Sequence, residues 1–230
     1  MKVLLAIMSC RGAEANGDNQ AIRDTWMRDV VPHQNVDFRF FVGDGLSKYP
    51  ARDIGFPTGE GITAGPDTVA LAVPDDYVSL ILKSQAMRQW AFERYYDFVF
   101  KADADTYVDV DQLMRSGFEK WDYFGHVHTA PGTPKGDGTR HIYGFLGGGE
   151  GYWTSRKACE EIIRASVHEG PMEDLWVGHV LGSNGIRMVD HPGYGEGITL
   201  HGSLRDTQGP YRPGFYRNSW MRKTYQERKG

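Results

Sequence analysis

The chain has 230 residues, of which 40% are hydrophobic and 13% aromatic, enough for a sizeable core in one large domain or two small ones. Its 26 basic and 30 acidic residues give a formal net charge of −4, and no basic run is long enough to act as a nucleic-acid arm. The cysteines, Cys10 and Cys159, lack the spacing of a zinc site or a disulfide scaffold. These features predict a globular protein with reduced core thiols and no general affinity for nucleic acid.

The first half of the sequence predicts strands that alternate with helices. Residues 3–8 form a continuous apolar run typical of buried parallel strands, and the following AIRDTWMRDVV is compatible with a helix. Two more strands are predicted in FRFFV, which a Gly-Asp-Gly turn follows, and in TVALAV. Residues 44–67 are dense in Gly and Pro and predict a long surface loop. Residues 77–95 have helical spacing and lead into the apolar strand that ends at KADAD.

The second half continues this alternation. Helices are predicted in VDVDQLMRSGFEKW, in SRKACEEIIRASV and from GPMEDLWVGHVLG, and strands in WDYFGHVH and NGIRMVDH. A polar loop is predicted for TAPGTPKGDGTRH, and YRNSWMRKTYQERKG is either a packing helix or the lead into a further domain. The whole pattern predicts an α/β fold with a mainly parallel sheet, in which ligands bind beyond the carboxyl ends of the strands.

The acids of KADADT lie at such an end. In an extended chain Asp103 and Asp105 point to the same side, with their Cα atoms roughly 6.5 Å apart. A solvated turn is one interpretation. An EF-hand loop fails because Tyr107, Val108 and Met114 occupy positions that require other residues. A phosphatase of the haloacid dehalogenase type and the DxD motif of nucleotide-sugar glycosyltransferases remain, and the latter uses carboxylates to hold Mn²⁺ or Mg²⁺.

Four ordered blocks decide in favour of the DxD interpretation. They are NQAIRDTW, the long span from DDYVSLILKSQ to FKADADTYV, GGGEGYWTS and MEDLWVG. Together they resemble the β-1,3-glycosyltransferases, a family that includes β-1,3-galactosyltransferases, β-1,3-N-acetylglucosaminyltransferases and Fringe. Ser79 stands where the family usually has Asn, and Ala104 stands in place of the middle Asp of its acidic motif. No GK[ST] follows the glycine cluster, which excludes a P-loop.

The resemblance implies a single GT-A (Rossmann-like) glycosyltransferase domain over residues 1–230, with a nucleotide-sugar-binding half to about residue 110 and an acceptor-binding, catalytic half after it. It implies inverting transfer of a sugar, with galactose as the first candidate, from a UDP-sugar to a glycan hydroxyl. The alternatives are a non-catalytic nucleotide- or carbohydrate-binding module on the same fold, and the phosphatase.

The resemblance also assigns roles to individual residues. Asp174 is the expected catalytic base, and Asp105 and His201 are the expected ligands of Mn²⁺ or Mg²⁺, with Asp103 contacting the ribose or a metal-bound water. His191 remains an alternative to His201. The expected donor-binding residues are Ser9, Arg23, Lys83, Lys101, Asp103 and Asp105. The expected acceptor or sugar pocket consists of Gly148, Gly149, Tyr152, Trp153 and Glu173.

Simpler interpretations exist for several of these residues. Arg23 could pair with a nearby acid, and Glu173 and Asp174 could only favour the start of a helix through its dipole. His126 and His128 alternate in a predicted strand and could bind metal, but the sequence shows no third ligand, so a loop or acceptor-side role is preferred.

The expected partners are a UDP-sugar donor and a glycan or glycoprotein acceptor, without nucleic acid. No apolar run approaches the roughly 20 residues of a membrane-spanning helix. The sequence therefore predicts a soluble, cytoplasmic protein of bacterial or viral origin, or one domain of a longer protein. A Golgi location would apply only to a catalytic domain cut from a eukaryotic enzyme.

Overall fold

The structure is a computed structural model that describes residues 1–45, 66–134, 140–168, 170, 172–194, 197–201 and 215–229. The following strands lie within these ranges: β1 Val3–Met8, β2 Val36–Gly45, β3 Thr68–Pro74, β4 Phe98–Asp103, β5 Thr106–Val108, β6 Tyr123–Gly125, β7 Val127–Pro134, β8 Arg140–Leu146, β9 Tyr152–Ser155, β10 Met188–Asp190 and β11 Thr199–His201. The helices are α1 Arg11–Ala15, α2 Asp18–Asp24, α3 Leu80–Glu93, α4 Val110–Met114, α5 Arg156–Arg164, α6 Glu173–Ser183 and α7 Phe215–Lys229.

Seven of the described strands form one sheet in the order β10-β6-β9-β4-β1-β2-β3. Every neighbouring pair is parallel except the two pairs that β9 makes with β4 and β6. Strands β5 and β11 form a separate antiparallel pair, as do β7 and β8. The predicted α/β class with a mainly parallel sheet is therefore confirmed.

The central strand β1 explains how the sheet is buried on both faces. All six of its residues are buried. Leu5 and Ile7 pack in one cluster with Trp26 of the 3-10 helix that follows α2, whereas Leu4 and Ala6 pack on the other face in a cluster that includes Met87 of α3. Because successive strand residues point to opposite faces, a strand covered on both sides needs an apolar residue at every position.

Parallel pairing places the carboxyl ends of β1 and β4 side by side, because Met8 is the Cα partner of Asp103. Ser9 follows β1 at this edge, and the acids of the KADADT segment follow β4. Asp109 caps α4 by accepting a hydrogen bond from the Gln112 amide at 3.0 Å, as expected for the acid that begins that helix. The edge predicted to bind ligand is therefore formed by loops that leave adjacent strands.

The structure corrects several element predictions. Strand β2 runs through the Gly-Asp-Gly segment predicted as a turn, and Gly43 lies so close to β3 that an added Cβ would be 2.6 Å from the Val73 carbonyl. The segment TAPGTPKGDGTRH is in large part the β7–β8 hairpin rather than a loop, although residues 135–139 lie outside the described ranges. The C-terminal segment forms α7, and most of the predicted loop at 44–67 lies outside the described residues.

The β9 strand lies between β4 and β6, and all four of its residues are buried. The flanking Ser155 caps α5 by accepting a hydrogen bond from the Ala158 amide at 3.2 Å. None of the helices in the described ranges combines the length and apolar composition needed to cross a membrane.

Candidate active site

Two acids and one histidine converge beyond the end of β4. Asp103 is the last residue of β4, Asp105 lies in the turn to β5, and His201 ends β11, which pairs with β5 so that His201 is the Cα partner of Thr106. Potential ligand atoms of the three side chains all lie within 4.8 Å of one another. His201 Nε2 lies 3.0 Å from Asp105 Oδ1. Two carboxylates and an imidazole suit a divalent cation.

Among the described residues, the group with the two acids contains His201 and not His191. His191 instead packs its ring against Phe124 and Tyr194, and its Nδ1 accepts a hydrogen bond from the Gly193 amide at 3.1 Å. The sequence left His191 and His201 as alternatives. In the structure it is His201 that lies beside the acidic motif.

The two acids change the electrostatic environment of His201. Burial lowers the pKa of His201, but the hydrogen bond and charge of Asp105, together with Asp103 and Glu150, raise it above its usual value. The two acids thus favour a proton on the imidazole, which lies against Asp105. A divalent cation would take the place of that proton between the same groups, because a ligating histidine must be neutral.

Lys101 lies beneath the group as its counter-ion. Its side chain is 4% exposed, and Nζ donates to Asp103 Oδ1 at 2.8 Å and to the Gly148 carbonyl at 3.1 Å. Nζ also lies 3.2 Å from Glu173 Oε2. Burial lowers the pKa of Lys101, but the charges of Asp103 and Glu173 outweigh burial and raise it. The buried Lys101 side chain therefore fixes the position of Asp103.

Glu173 belongs to a buried polar network rather than to the surface. It is 3% exposed and accepts hydrogen bonds from Ser84 at 2.5 Å and Tyr152 at 2.7 Å, and Arg88 lies 3.6 Å away. Burial raises the pKa of Glu173, but Lys101 and Arg88 oppose this and lower it to about 2. Through these contacts Glu173 orients the side chains of Lys101 and Arg88.

Asp174, the next residue, is half-buried in the first turn of α6. Its Oδ2 accepts a hydrogen bond from the Gly148 amide at 3.3 Å, and its Oδ1 accepts one from the Leu175 amide at 2.8 Å. Burial and the neighbouring Glu173 charge raise the pKa of Asp174, despite the opposing charge of Lys101. The structure thus contains a pair of adjacent carboxylates whose pKa values are moved in opposite directions, a pattern typical of acid–base sites.

The glycine turn, residues 147–151, connects these groups. A Cβ on Gly148 would be 2.9 Å from Lys101 Nζ and 3.2 Å from Glu173 Oε2, and a Cβ on Gly149 would be 2.7 Å from His201 Nε2. Gly151 has φ +93°. Only glycine permits this close approach of backbone to the charged side chains and this backbone conformation.

The remaining predicted donor residues are engaged within the protein. Lys83 is buried, and its Nζ donates to Asp75 at 2.6 Å and to the Ser9 carbonyl at 2.9 Å. Arg23 pairs with Glu14 at 2.7 Å and with Asp67 at 2.8 Å, as the simpler interpretation proposed. Their contact with a donor nucleotide stays a prediction, whereas their role in holding the loops at the carboxyl edge follows from these bonds.

Three of the five residues predicted for the acceptor or sugar pocket are buried. Tyr152 and Trp153 are each 0% exposed because β9 is an internal strand, and Glu173 is buried below the glycine turn. Trp153 stacks on Phe118 with ring centroids 3.7 Å apart, and its Nε1 donates to Tyr194 at 2.8 Å. These three side chains make contacts inside the protein, whereas Gly148 and Gly149 approach Lys101 and His201; contact of any of the five residues with a sugar stays a prediction.

The structure contains a second group of potential metal ligands that the sequence did not predict. His126, His128 and Glu150 also bring potential metal-ligating atoms within 4.8 Å of one another. Glu150 is the third candidate ligand that the sequence did not reveal, because the contact depends on how the β7–β8 hairpin meets the glycine turn. The only sequence signal is that Glu150 interrupts a run of glycines.

The fold and the geometry of the site together define an α/β protein of the GT-A type with an acidic group at the carboxyl edge of its sheet. The family model described as Galactosyltransferase matches residues 18–121, just under half of the chain, and confirms the family resemblance over those residues. No curated protein matches the sequence.

Solved structures support the fold. A glycosyltransferase involved in the glycosylation of the major capsid of PBCV-1 aligns with a TM-score of 0.51 at 12% identity, covering 97% of this chain and 100% of the other. A protein of Desulfovibrio desulfuricans G20, described as a nucleotide-diphospho-sugar transferase, aligns at 11% identity over 98% and 99% of the two chains with a TM-score of 0.44, which does not by itself establish a shared fold. The family match and the fold together support a glycosyltransferase.

Proposed function

We propose that this chain is a metal-dependent, inverting glycosyltransferase that moves a sugar, with galactose as the first candidate, from a UDP-sugar to a hydroxyl of a glycan or glycoprotein. One observation carries the proposal. A single glycine turn contacts both the group of Asp103, Asp105 and His201 and the carboxylate of Asp174. The family match supports the choice of galactose, and the UDP donor is what the resemblance to the β-1,3-glycosyltransferases implies.

On the donor side, Asp105 and His201 would hold Mn²⁺ or Mg²⁺, with Asp103 acting directly or through a water. When bound, such an ion stabilises the negative charge that develops on a leaving diphosphate. Lys101 keeps Asp103 in place and offsets part of the negative charge of the two acids. We assign residues to about 110 to donor binding and the later part of the chain to the acceptor and catalysis, with His201 as the exception that returns to the donor side.

On the acceptor side, Asp174 would take the proton from the attacking hydroxyl. An inverting displacement needs one base positioned at the acceptor and a leaving group on the opposite face of the sugar. The raised pKa of Asp174 makes it a stronger base than an ordinary aspartate, and the Gly148 and Leu175 amides fix its orientation. The negative charge of Glu173 helps to raise the pKa of Asp174.

The test is a screen of UDP-sugars scored by UDP release, with the wild type, Asp174→Asn and the control Asp111→Asn. Asp111 is an aspartate of α4 whose side chain is 54% exposed. Because a positioned general base contributes about 10²–10⁴-fold, Asp174→Asn should lose at least about 100-fold in transfer and keep UDP binding. Transfer at the wild-type rate by Asp174→Asn would refute the assignment of the base.

This screen, together with a UDP-binding assay and a phosphate-monoester assay, separates the alternatives. UDP binding without hydrolysis or transfer of any donor would favour a non-catalytic binding module. Turnover of a generic phosphate monoester that disappears in Asp103→Asn would favour a phosphatase. The transferase is preferred because the Galactosyltransferase model matches residues 18–121 and because the glycine turn that approaches His201 also donates a hydrogen bond to Asp174.

A further inference from the structure

The group of His126, His128 and Glu150 meets the glycine turn at Gly147, whereas His201 meets it at Gly149. His128 is in β7, His126 directly precedes that strand, and Glu150 is in the turn itself. His128 Nε2 lies 2.9 Å from Glu150 Oε2, and Glu150 is only 6% exposed. The two histidine side chains are each about one third exposed, so solvent reaches the group.

The ring of His126 has a carboxylate close to one of its two nitrogens. Its Nδ1 is buried and makes no hydrogen bond within the described part of the chain, although Asp190 Oδ1 lies 3.4 Å away. Asp190 Oδ1 is itself fixed by the Val127 amide at 2.9 Å. Metal-ligating histidines commonly direct their other ring nitrogen towards a carboxylate, which orients the ring. With Nδ1 directed to Asp190, Nε2 is the nitrogen left for a cation.

The backbone also makes room for this group. A Cβ on Gly147 would lie 2.7 Å from His128 Nε2 and 3.0 Å from Glu150 Oε2. The glycine therefore lets the turn approach the two side chains at the atoms that would bind an ion. An ordinary surface ion pair between a histidine and a glutamate does not require such an approach.

We propose that His126, His128 and Glu150 form a second metal site, distinct from the group of Asp103, Asp105 and His201, for a borderline transition ion of the Zn²⁺ type. Two imidazole nitrogens and one carboxylate oxygen are a ligand set that Zn²⁺ favours, with a fourth position left for water or another group. The acidic group, which has two carboxylates, instead suits harder ions. The proposal does not rest on the proposed transferase activity.

The test is a titration of tag-free, full-length protein with Co²⁺, a spectroscopic substitute for Zn²⁺, followed by visible absorption and then by displacement with Zn²⁺. The background is Asp103→Asn with Asp105→Asn, which disables the acidic group. This background protein should bind one Co²⁺ with the absorption of four-coordinate cobalt. His126→Gln and His128→Gln on the same background should each weaken binding by more than about 10-fold, because each removes a ligand.

His179→Gln is the matched control, because His179 is an exposed histidine of α6, and it should leave Co²⁺ binding unchanged. Asp190→Asn should weaken binding by about 10-fold without removing a ligand, as expected for a residue that orients one. Circular dichroism spectra of the apoproteins establish that each variant is folded. The proposal is overturned if the background protein shows no Co²⁺ absorption, or if folded His126→Gln and His128→Gln bind Co²⁺ as tightly as the His179 control.

Discussion

Replacing Glu173 by Gln removes one buried charge from a network that holds two buried cations. The variant keeps the size of the side chain but leaves Arg88 and Lys101 without the carboxylate that lies 3.6 Å and 3.2 Å from them. The pKa of Glu173 is lowered from 4.5 to about 2, which corresponds to about 3 kcal/mol at roughly 1.4 kcal/mol per unit. Loss of one partner of a buried ion pair costs a similar amount, about 3–5 kcal/mol.

We therefore expect Glu173→Gln to lower the free energy of unfolding by about 3 kcal/mol at pH 7, measured by urea denaturation. Because the pKa is depressed in the folded state, the stabilisation is fully present above pH 4.5 and is lost as pH falls from there towards 2. The difference from wild type should thus be constant between pH 7 and pH 5.5 and become smaller at pH 4.

Glu93→Gln provides the control, because Glu93 is an exposed glutamate at the end of α3 with a side chain that is 57% exposed. Its effect should stay below about 1 kcal/mol, as for most surface charges. If Glu173→Gln also cost less than about 1 kcal/mol, or if its effect grew as the pH fell, the account of Glu173 as the buried anion beneath the site would be wrong.

Two further predictions concern His201. Gly149→Ala places a Cβ 2.7 Å from His201 Nε2 and should weaken Mn²⁺ binding by about 10-fold or more, because a displaced ligand binds poorly. The control Gly182→Ala, which has no atom within 4 Å of its Cβ, should leave Mn²⁺ binding unchanged. Equal Mn²⁺ affinities of the two variants by calorimetry would contradict the geometry. Because the pKa of His201 is raised above 6.5 and a ligand must be deprotonated, Mn²⁺ affinity should increase as the pH rises above that value. His201→Asn should remove this increase, and a pH dependence that persisted in the variant would assign it to another group.

Much of the fold follows from local sequence patterns. The strands β1 and β4 are apolar at nearly every position, and residues 80–93 keep helical spacing without Gly or Pro, so each is predicted by its own residues. The β7–β8 hairpin was missed because its Gly and Pro residues are typical of loops, whereas its strands are stabilised by cross-strand pairing that no local pattern reports. The secondary-structure prediction thus failed where pairing with a neighbouring strand, rather than the local propensity of the residues, determines the structure.

The candidate site likewise contains residues that local sequence predicts and residues that only the tertiary structure reveals. Asp103 and Asp105 follow a buried strand and can be found locally, but only the β5–β11 pairing shows that His201 lies beside them and His191 does not. The aromatic residues after the glycine cluster, Tyr152 and Trp153, were assigned to the sugar pocket because their strand was not known to be internal to the sheet. Burial on both faces is a tertiary property that residue type alone does not reveal.

The most direct measurement of the central claim is calorimetric titration of the protein with UDP, with and without Mn²⁺. We expect UDP to bind in the presence of Mn²⁺, to bind far more weakly after chelation, and to lose this dependence in Asp105→Asn, because Asp105 is a proposed ligand of the ion. Failure of UDP to bind under either condition, or equal affinities with Mn²⁺ and with chelator, would contradict a metal-dependent nucleotide-sugar site at Asp103, Asp105 and His201.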